Sequence, residues 1–382
     1  MTILIETIKL QIKKNLVIVI NAGSLFSTQI VTSGLGFIFW WLATQMYDPK
    51  LVGLSSAAIS AMMLLGNVGN VGLDTLLVGE LPRRPKARGA MILTALLVTG
   101  TVGLILGVLF AYGTPLISPD LTPLHQNWGN SLLFAIGVGL TGVCLVADQA
   151  LIGLLKGQLQ LQRNMIFAVV KLAVLFLAGI LLPGNFTLII YSTWVVGNLV
   201  SLGYIGIKGL AQSSMKQISF KPEFGLLKDL SSLSLKHYAL NLTLQVPGYT
   251  LPLIVTALIS VEKTGSFYIA WMISNFLFAI PYAFARVLYA VGAGQRSLLT
   301  EKIRFTLKYS FIIGGVGAVA LLIGADLLMQ LFGATYAEQA TTTLRILAVS
   351  IFPTIIKTHY VAVSQIYGRM IKAARIFVVC WA

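Results

Sequence analysis

Ten apolar runs of roughly twenty residues, separated by short cation-bearing segments, leave this chain few ways to fold. They lie near 17–45, 52–79, 89–112, 129–155, 164–183, 186–207, 238–260, 265–291, 305–326 and 341–366, and an eleventh starts near 373. A run of that length crosses the hydrocarbon core as a helix, because in lipid each backbone amide must be satisfied within its own segment. The fold class expected is therefore all-α and polytopic. Composition agrees: 10% of the 382 residues are charged, against about 25% in soluble domains.

The net charge of +15 would suggest nucleic acid in a soluble chain. Here the cations occupy short loops, so they report topology instead, and no nucleic-acid partner is expected. With the N-terminus inside, twenty-one Lys and Arg fall on inner segments; Lys50 and Lys263 alone fall outside. This orients the chain in the cytoplasmic (inner) membrane with a cytoplasmic N-terminus. Arg163 is counted with Lys156 in an inner loop. Residues 1–15 read as a solvated tail or a short amphipathic helix on the inner leaflet.

The most polar crossing is the second. Ser56, Ser60, Asn67, Asn70 and Asp74 recur at helical spacing along it. An aspartate facing lipid costs about 2.5–3.5 kcal/mol, so the stripe is expected to face other helices or water. The eighth crossing carries a comparable stripe of Tyr268, Asn275, Tyr282, Arg286 and Tyr289. At an offset of 212 residues Gly53 meets Gly265, Ala58 meets Ala270, and Asp74 meets Arg286. The longest polar connection, 208–236, follows six crossings. Together these predict a parallel repeat about an axis along the membrane normal: a bundle over 1–207, a linker over 208–236 and a bundle over 237–382.

No P-loop, paired-histidine or nucleophile-elbow motif is present, and His125, His237 and His359 are far apart. Cys144 and Cys380 both lie in apolar runs, which argues against a disulfide framework. An enzyme, a bound metal and a cofactor are not expected. What remains is charge within the crossings: Asp74, Asp148, Lys171, Arg286 and Lys357. Rise per residue places all five in the inner half. The functional reading is an inner vestibule lined by Lys171, Arg286 and Lys357, with Asn67, Asn70 and Asn275 as polar lining and Asp74 and Asp148 for pairing or ion coupling. Its ligand would be anionic, since Lys and Arg hold phosphate through charge-assisted hydrogen bonds. The plainer readings are snorkelling or structural pairing for Asp74 and Arg286, and a helix–helix hydrogen bond for Asp148. Pro247, Pro252, Pro281 and Pro353 are expected to bend their helices.

Several stretches resemble the polysaccharide (O-antigen type) flippases of the multidrug/oligosaccharidyl-lipid/polysaccharide exporter superfamily. They are Asn21-Ala-Gly-Ser-Leu25, Gly36-Phe-Ile-Phe-Trp-Trp41, Val52-Gly-Leu-Ser-Ser-Ala-Ala-Ile59, Leu64-Leu-Gly66, Val71-Gly-Leu73, Leu81-Pro82 and Gly333-Ala-Thr-Tyr-Ala337. The resemblance implies two pseudo-symmetric six-helix bundles around a central cationic cavity. It implies alternating-access flipping of an isoprenoid-diphosphate-linked oligosaccharide for lipopolysaccharide or related polysaccharide biosynthesis, with a glycan polymerase and glycosyltransferases as partners in the bilayer. Such proteins have at least twelve crossings, so the second bundle is expected to be truncated. Two alternatives stand beside this reading: a drug or organic-cation antiporter of the same superfamily, and a non-transporting component of a polysaccharide-synthesis complex.

Overall fold

The computed structural model describes residues 34–154, 156–181, 186–211, 222, 224–225, 232–294 and 299–379. Residues 1–15, the Asn21–Leu25 stretch and most of the 208–236 linker therefore lie outside the described residues. All regular structure among those described is helical. Helix α1 covers 34–46. It is followed by α2 (Pro49–Gly69), α3 (Leu73–Glu80), α4 (Arg88–Gly113), α5 (Trp128–Gly153), α6 (Gly157–Leu181) and α7 (Ile189–Ala211). Then come α8 (Ser232–Leu258), α9 (Val261–Gly294), α10 (Leu299–Gln330), α11 (Ala334–Val349), α12 (Ile351–Ile366) and α13 (Met370–Val379).

Among the described residues seven helices are long and apolar enough to cross a membrane, and the bent pair α11–α12 makes an eighth candidate. Helix α8 covers the expected crossing 238–260 with a more polar composition, including Asn241, Thr243, Gln245 and Thr250. The prolines act unevenly. Pro247, Pro252 and Pro281 sit inside continuous helices. Pro353 lies at the start of α12, just past Ser350, where the pair bends by 45°.

Two compact units emerge, Ile38–Tyr268 and Ile269–Ile376, dividing inside α9. In the first, α5 is central: it packs on α2, α3, α4, α6 and α7. Small residues permit this. A Cβ at Gly103 would fall 2.9 Å from the Gly139 Cα, and one at Gly107 would lie 2.6 Å from the Ala135 Cα. Without a hydrophobic drive between helices in lipid, such close approach supplies the dispersion contacts that hold them together. In the second unit, Leu277 and Phe278 of α9 pack with Ala318 of α10, Ala348 of α11, and Ile351 and Ile355 of α12.

The start of α2 is fixed by a side-chain cap. Asp48 accepts a hydrogen bond from the Leu51 N–H at 3.0 Å, and Pro49 follows at the first helical position, where its missing donor costs nothing. The equivalent position in the repeat, Ser260, accepts from the Lys263 N–H at 3.1 Å to cap α9. Between these two caps the helices touch at Gly53 and Gly265. A Cβ on Gly53 would overlap the Val261 carbonyl, and one on Gly265 would come 3.1 Å from the Gly53 nitrogen. The contact is reciprocal: each glycine leaves room for the other's backbone.

Candidate functional site

The polar stripe of the second crossing is buried in protein: Ser56, Ser60, Asn67 and Asn70 are all below one-tenth exposed. The crossing is not one helix, however. It stops at Gly69 and restarts at Leu73, with Val71 at φ 51° and Gly72 at φ 81°. A β-branched residue at positive φ is a strained conformation that its surroundings must enforce. Three groups do so here. The Asn70 side chain accepts from the Gly72 N–H at 2.8 Å. Tyr238 of α8 donates its hydroxyl to the Val68 carbonyl at 2.9 Å, which the break leaves with a 3.3 Å bond from the Val71 N–H. The Tyr238 ring also lies against Gly72, 3.1 Å from where a Cβ would stand. Asp74 follows directly, accepting from the Thr75 N–H at 2.6 Å. Asn67 donates to the Met63 carbonyl within its own helix at 2.8 Å.

Lys171 of α6 is 5% exposed. Its ammonium lies over three rings: Trp194 of α7 at 4.1 Å, and Phe39 of α1 and Phe167 of α6 both at 4.8 Å. The setting is aromatic, not the wet vestibule expected. Each desolvated cation–π contact contributes about 2 kcal/mol, so together they offset much of the cost of keeping an ammonium out of water.

Asp148 is engaged by a residue whose placement needs correcting. Arg163, counted above as a loop cation, lies within α6 and is 4% exposed. It donates to both Asp148 oxygens at 2.6 Å and to the Asn164 Oδ1 at 2.7 Å. Loss of one inner cation leaves the topology argument unchanged. Arg163, Phe167 and Lys171 recur at i, i+4, i+8 on one face of α6, a pattern that the sequence contains and the loop assignment hid. Close by, the Cys144 thiol donates to the Asn198 Oδ1 at 3.4 Å, joining α5 to α7.

The other candidates lie in the second unit. Asn275 is exposed and donates to the Trp271 carbonyl at 2.8 Å. Arg286 is exposed one turn from Tyr282. Lys357 is half-buried on α12. The hydroxyls of Ser350 and Thr354, which precede it, bond back into helix carbonyls, Ser350 to Leu347 at 2.6 Å and Thr354 to Ser350 at 2.8 Å. His359, unassigned from sequence, is buried with its Nδ1 at 2.9 Å from the Ile355 carbonyl. Asn67, Asn70 and Asp74 thus share one broken segment, and Asp148 and Lys171 share the interior of the same unit. No group of three or more His, Cys, Asp or Glu gathers among the described residues. A groove of about 420 Å³ between α4 and α5, lined by Leu97, Leu104, Ile136 and Leu140, contains none of the candidates.

No protein-family model matches the chain, and no curated protein sequence does. Solved structures share the fold. An inward-facing multidrug resistance MATE family transporter of the MOP superfamily superposes with a TM-score of 0.63 at 17% identity, covering 91% of this chain and 83% of that one. An outward-facing structure of such a transporter gives 0.66 at 15% identity, over 94% and 84%. A MOP superfamily transporter from Pyrococcus furiosus, described as having reverse polarity of its binding pocket that suggests a different function, gives 0.62 at 16%, over 94% and 84%.

Proposed function

We propose that this protein is a membrane transporter that flips an isoprenoid-diphosphate-linked oligosaccharide across the cytoplasmic membrane by alternating access. The carrying observation is a buried cation with no counter-ion among the described residues. Lys171 is buried with no acidic partner among the described residues, whereas Asp148 is neutralised by Arg163 through two hydrogen bonds. An interior with a surplus ammonium favours an anionic guest. In this reading the diphosphate is drawn towards Lys171, the glycan follows through a polar interior, and the isoprenoid chain stays in the bilayer. The fold is that of transporters solved facing either side of the membrane. The description of the Pyrococcus furiosus protein, a reversed pocket polarity with a different function, supports separating pocket charge from fold within such proteins.

Expulsion of organic cations is the second reading, favoured by Asp74, which has no ion-pair partner among the described residues. The experiment is reconstitution into vesicles with a fluorescent isoprenoid-diphosphate oligosaccharide on one leaflet. Wild type should accelerate its transfer, and Lys171→Ala with Lys357→Ala should reduce the rate by about tenfold or more, with protein levels unchanged. Equal transfer by the variant, or transfer of an organic cation in place of the lipid, overturns the first reading.

A further inference from the structure

We propose that Phe39, Phe167 and Trp194 form a cation-binding box, and that Lys171 is its built-in occupant and the residue that closes it to external cations. This stands apart from the identity of the transported lipid. The rings come from three helices and face one another nearly at right angles. Phe39 and Trp194 are 6.3 Å apart at 79°, and Phe167 and Trp194 are 5.4 Å apart at 75°. Near-perpendicular rings turn their electron-rich faces to a common point. The Lys171 Nζ occupies that point, between 4.1 and 4.8 Å from every centroid.

The chemistry of the box selects its class of guest. The Lys171 ammonium has no hydrogen-bond acceptor among the described residues. The Trp194 indole N–H, in a side chain 7% exposed, also has none. A buried donor without an acceptor loses its hydration with no return. A quaternary ammonium has charge but no N–H to leave unmet, and aromatic cages are its usual receptors. The box therefore fits a compact quaternary ammonium better than it fits the primary ammonium that fills it. Lys171 prevails because it is tethered: it arrives on α6 with no loss of translational freedom, whereas a free cation must bear that loss on binding.

Two features separate this from ordinary packing of a lysine stem. The charged end itself lies over the rings. The wall also includes a ring from α1, more than 120 residues away in sequence, so the box is a tertiary construction and not a local contact within α6.

The test is titration of purified protein in detergent with tetramethylammonium chloride, read by tryptophan fluorescence and thermal unfolding, against sodium chloride at equal ionic strength. Lys171→Ala should show saturable binding and a rise in melting temperature. Wild type and Lys171→Arg should bind about tenfold more weakly or not at all. The double variant Lys171→Ala, Trp194→Leu should lose the response. Should Lys171→Ala fail to stay folded on extraction, tetramethylammonium in the extraction buffer should recover it where sodium chloride does not. Binding by wild type equal to the variant, binding that survives removal of Trp194, or no recovery by tetramethylammonium each overturns the proposal.

Discussion

Helices α2 and α9 start alike and end differently. Both are capped by a side-chain oxygen at equivalent positions, Asp48 and Ser260, and both place a glycine at the contact between them. Beyond that point α9 runs unbroken to Gly294, whereas α2 breaks after Gly69. At the offset of 212, the Asn70-Val-Gly72 break corresponds to Tyr282-Ala-Phe284 inside a continuous helix, and Asp74 corresponds to Arg286. The two helices thus match in geometry at their N-terminal contact and differ beyond it. Asn70 supplies an acceptor for the Gly72 N–H, Gly72 tolerates the left-handed turn, and Tyr238 donates to the Val68 carbonyl. The copy in α9 has none of these three at matching positions.

The glycine contact offers the largest test. Gly53→Val drives a side chain into the Val261 backbone, which cannot swing aside, and is expected to cost about 3 kcal/mol or more. Gly265→Ala meets atoms at 3.1 Å and should cost about 1 kcal/mol less than Gly53→Ala. Melting temperatures of the two alanine variants give the order, and equal losses would break the idea that the contact is tighter from the α2 side. At the break, Gly72→Ala should destabilise by about 1–3 kcal/mol, because φ 81° strains any side chain and the Tyr238 ring is in the way. Phe284→Ala, its equivalent in α9, should lower stability through lost packing alone, and Gly72→Asn should recover part of the loss because Asn tolerates the left-handed region. Chemical unfolding in detergent distinguishes these. The smallest effects belong to the caps: Asp48→Ala and Ser260→Ala should each cost about 1 kcal/mol. A cap loss confined to one helix would show that only one of the two N-termini is held by its side chain.

Much of this architecture was legible in the chain itself. Runs of apolar residues located α2, α4 to α7, α9 and α10, and the burial of Ser56, Ser60, Asn67 and Asn70 followed from the cost of placing Asp74 in lipid. The register of 212 residues pairs Gly53 with Gly265, and the two are in contact. The break was not legible, because Asn70 and Asp74 keep helical spacing across it; the available signal was the Asn-x-Gly sequence, which a helical reading absorbed. Arg163 was assigned to a loop because apolar counting starts the crossing one residue later, and hydropathy does not detect an ion pair with Asp148, fifteen residues earlier on the preceding helix. The ring set around Lys171 was illegible for a different reason. Phe39, Phe167 and Trp194 belong to three elements, and no spacing rule within one helix brings them together.

The meeting of Gly53 and Gly265 has a mechanical corollary. Because it lies in the first turns of both helices, it would serve as a fulcrum near one end of a rod if α2 tilted. From Gly53 to Gly69 the axis extends about 24 Å at 1.5 Å per residue. A tilt of about 20° there would sweep the distant tip through about 8 Å while barely disturbing the pivot, so the displacement would concentrate where Tyr238 grips the chain.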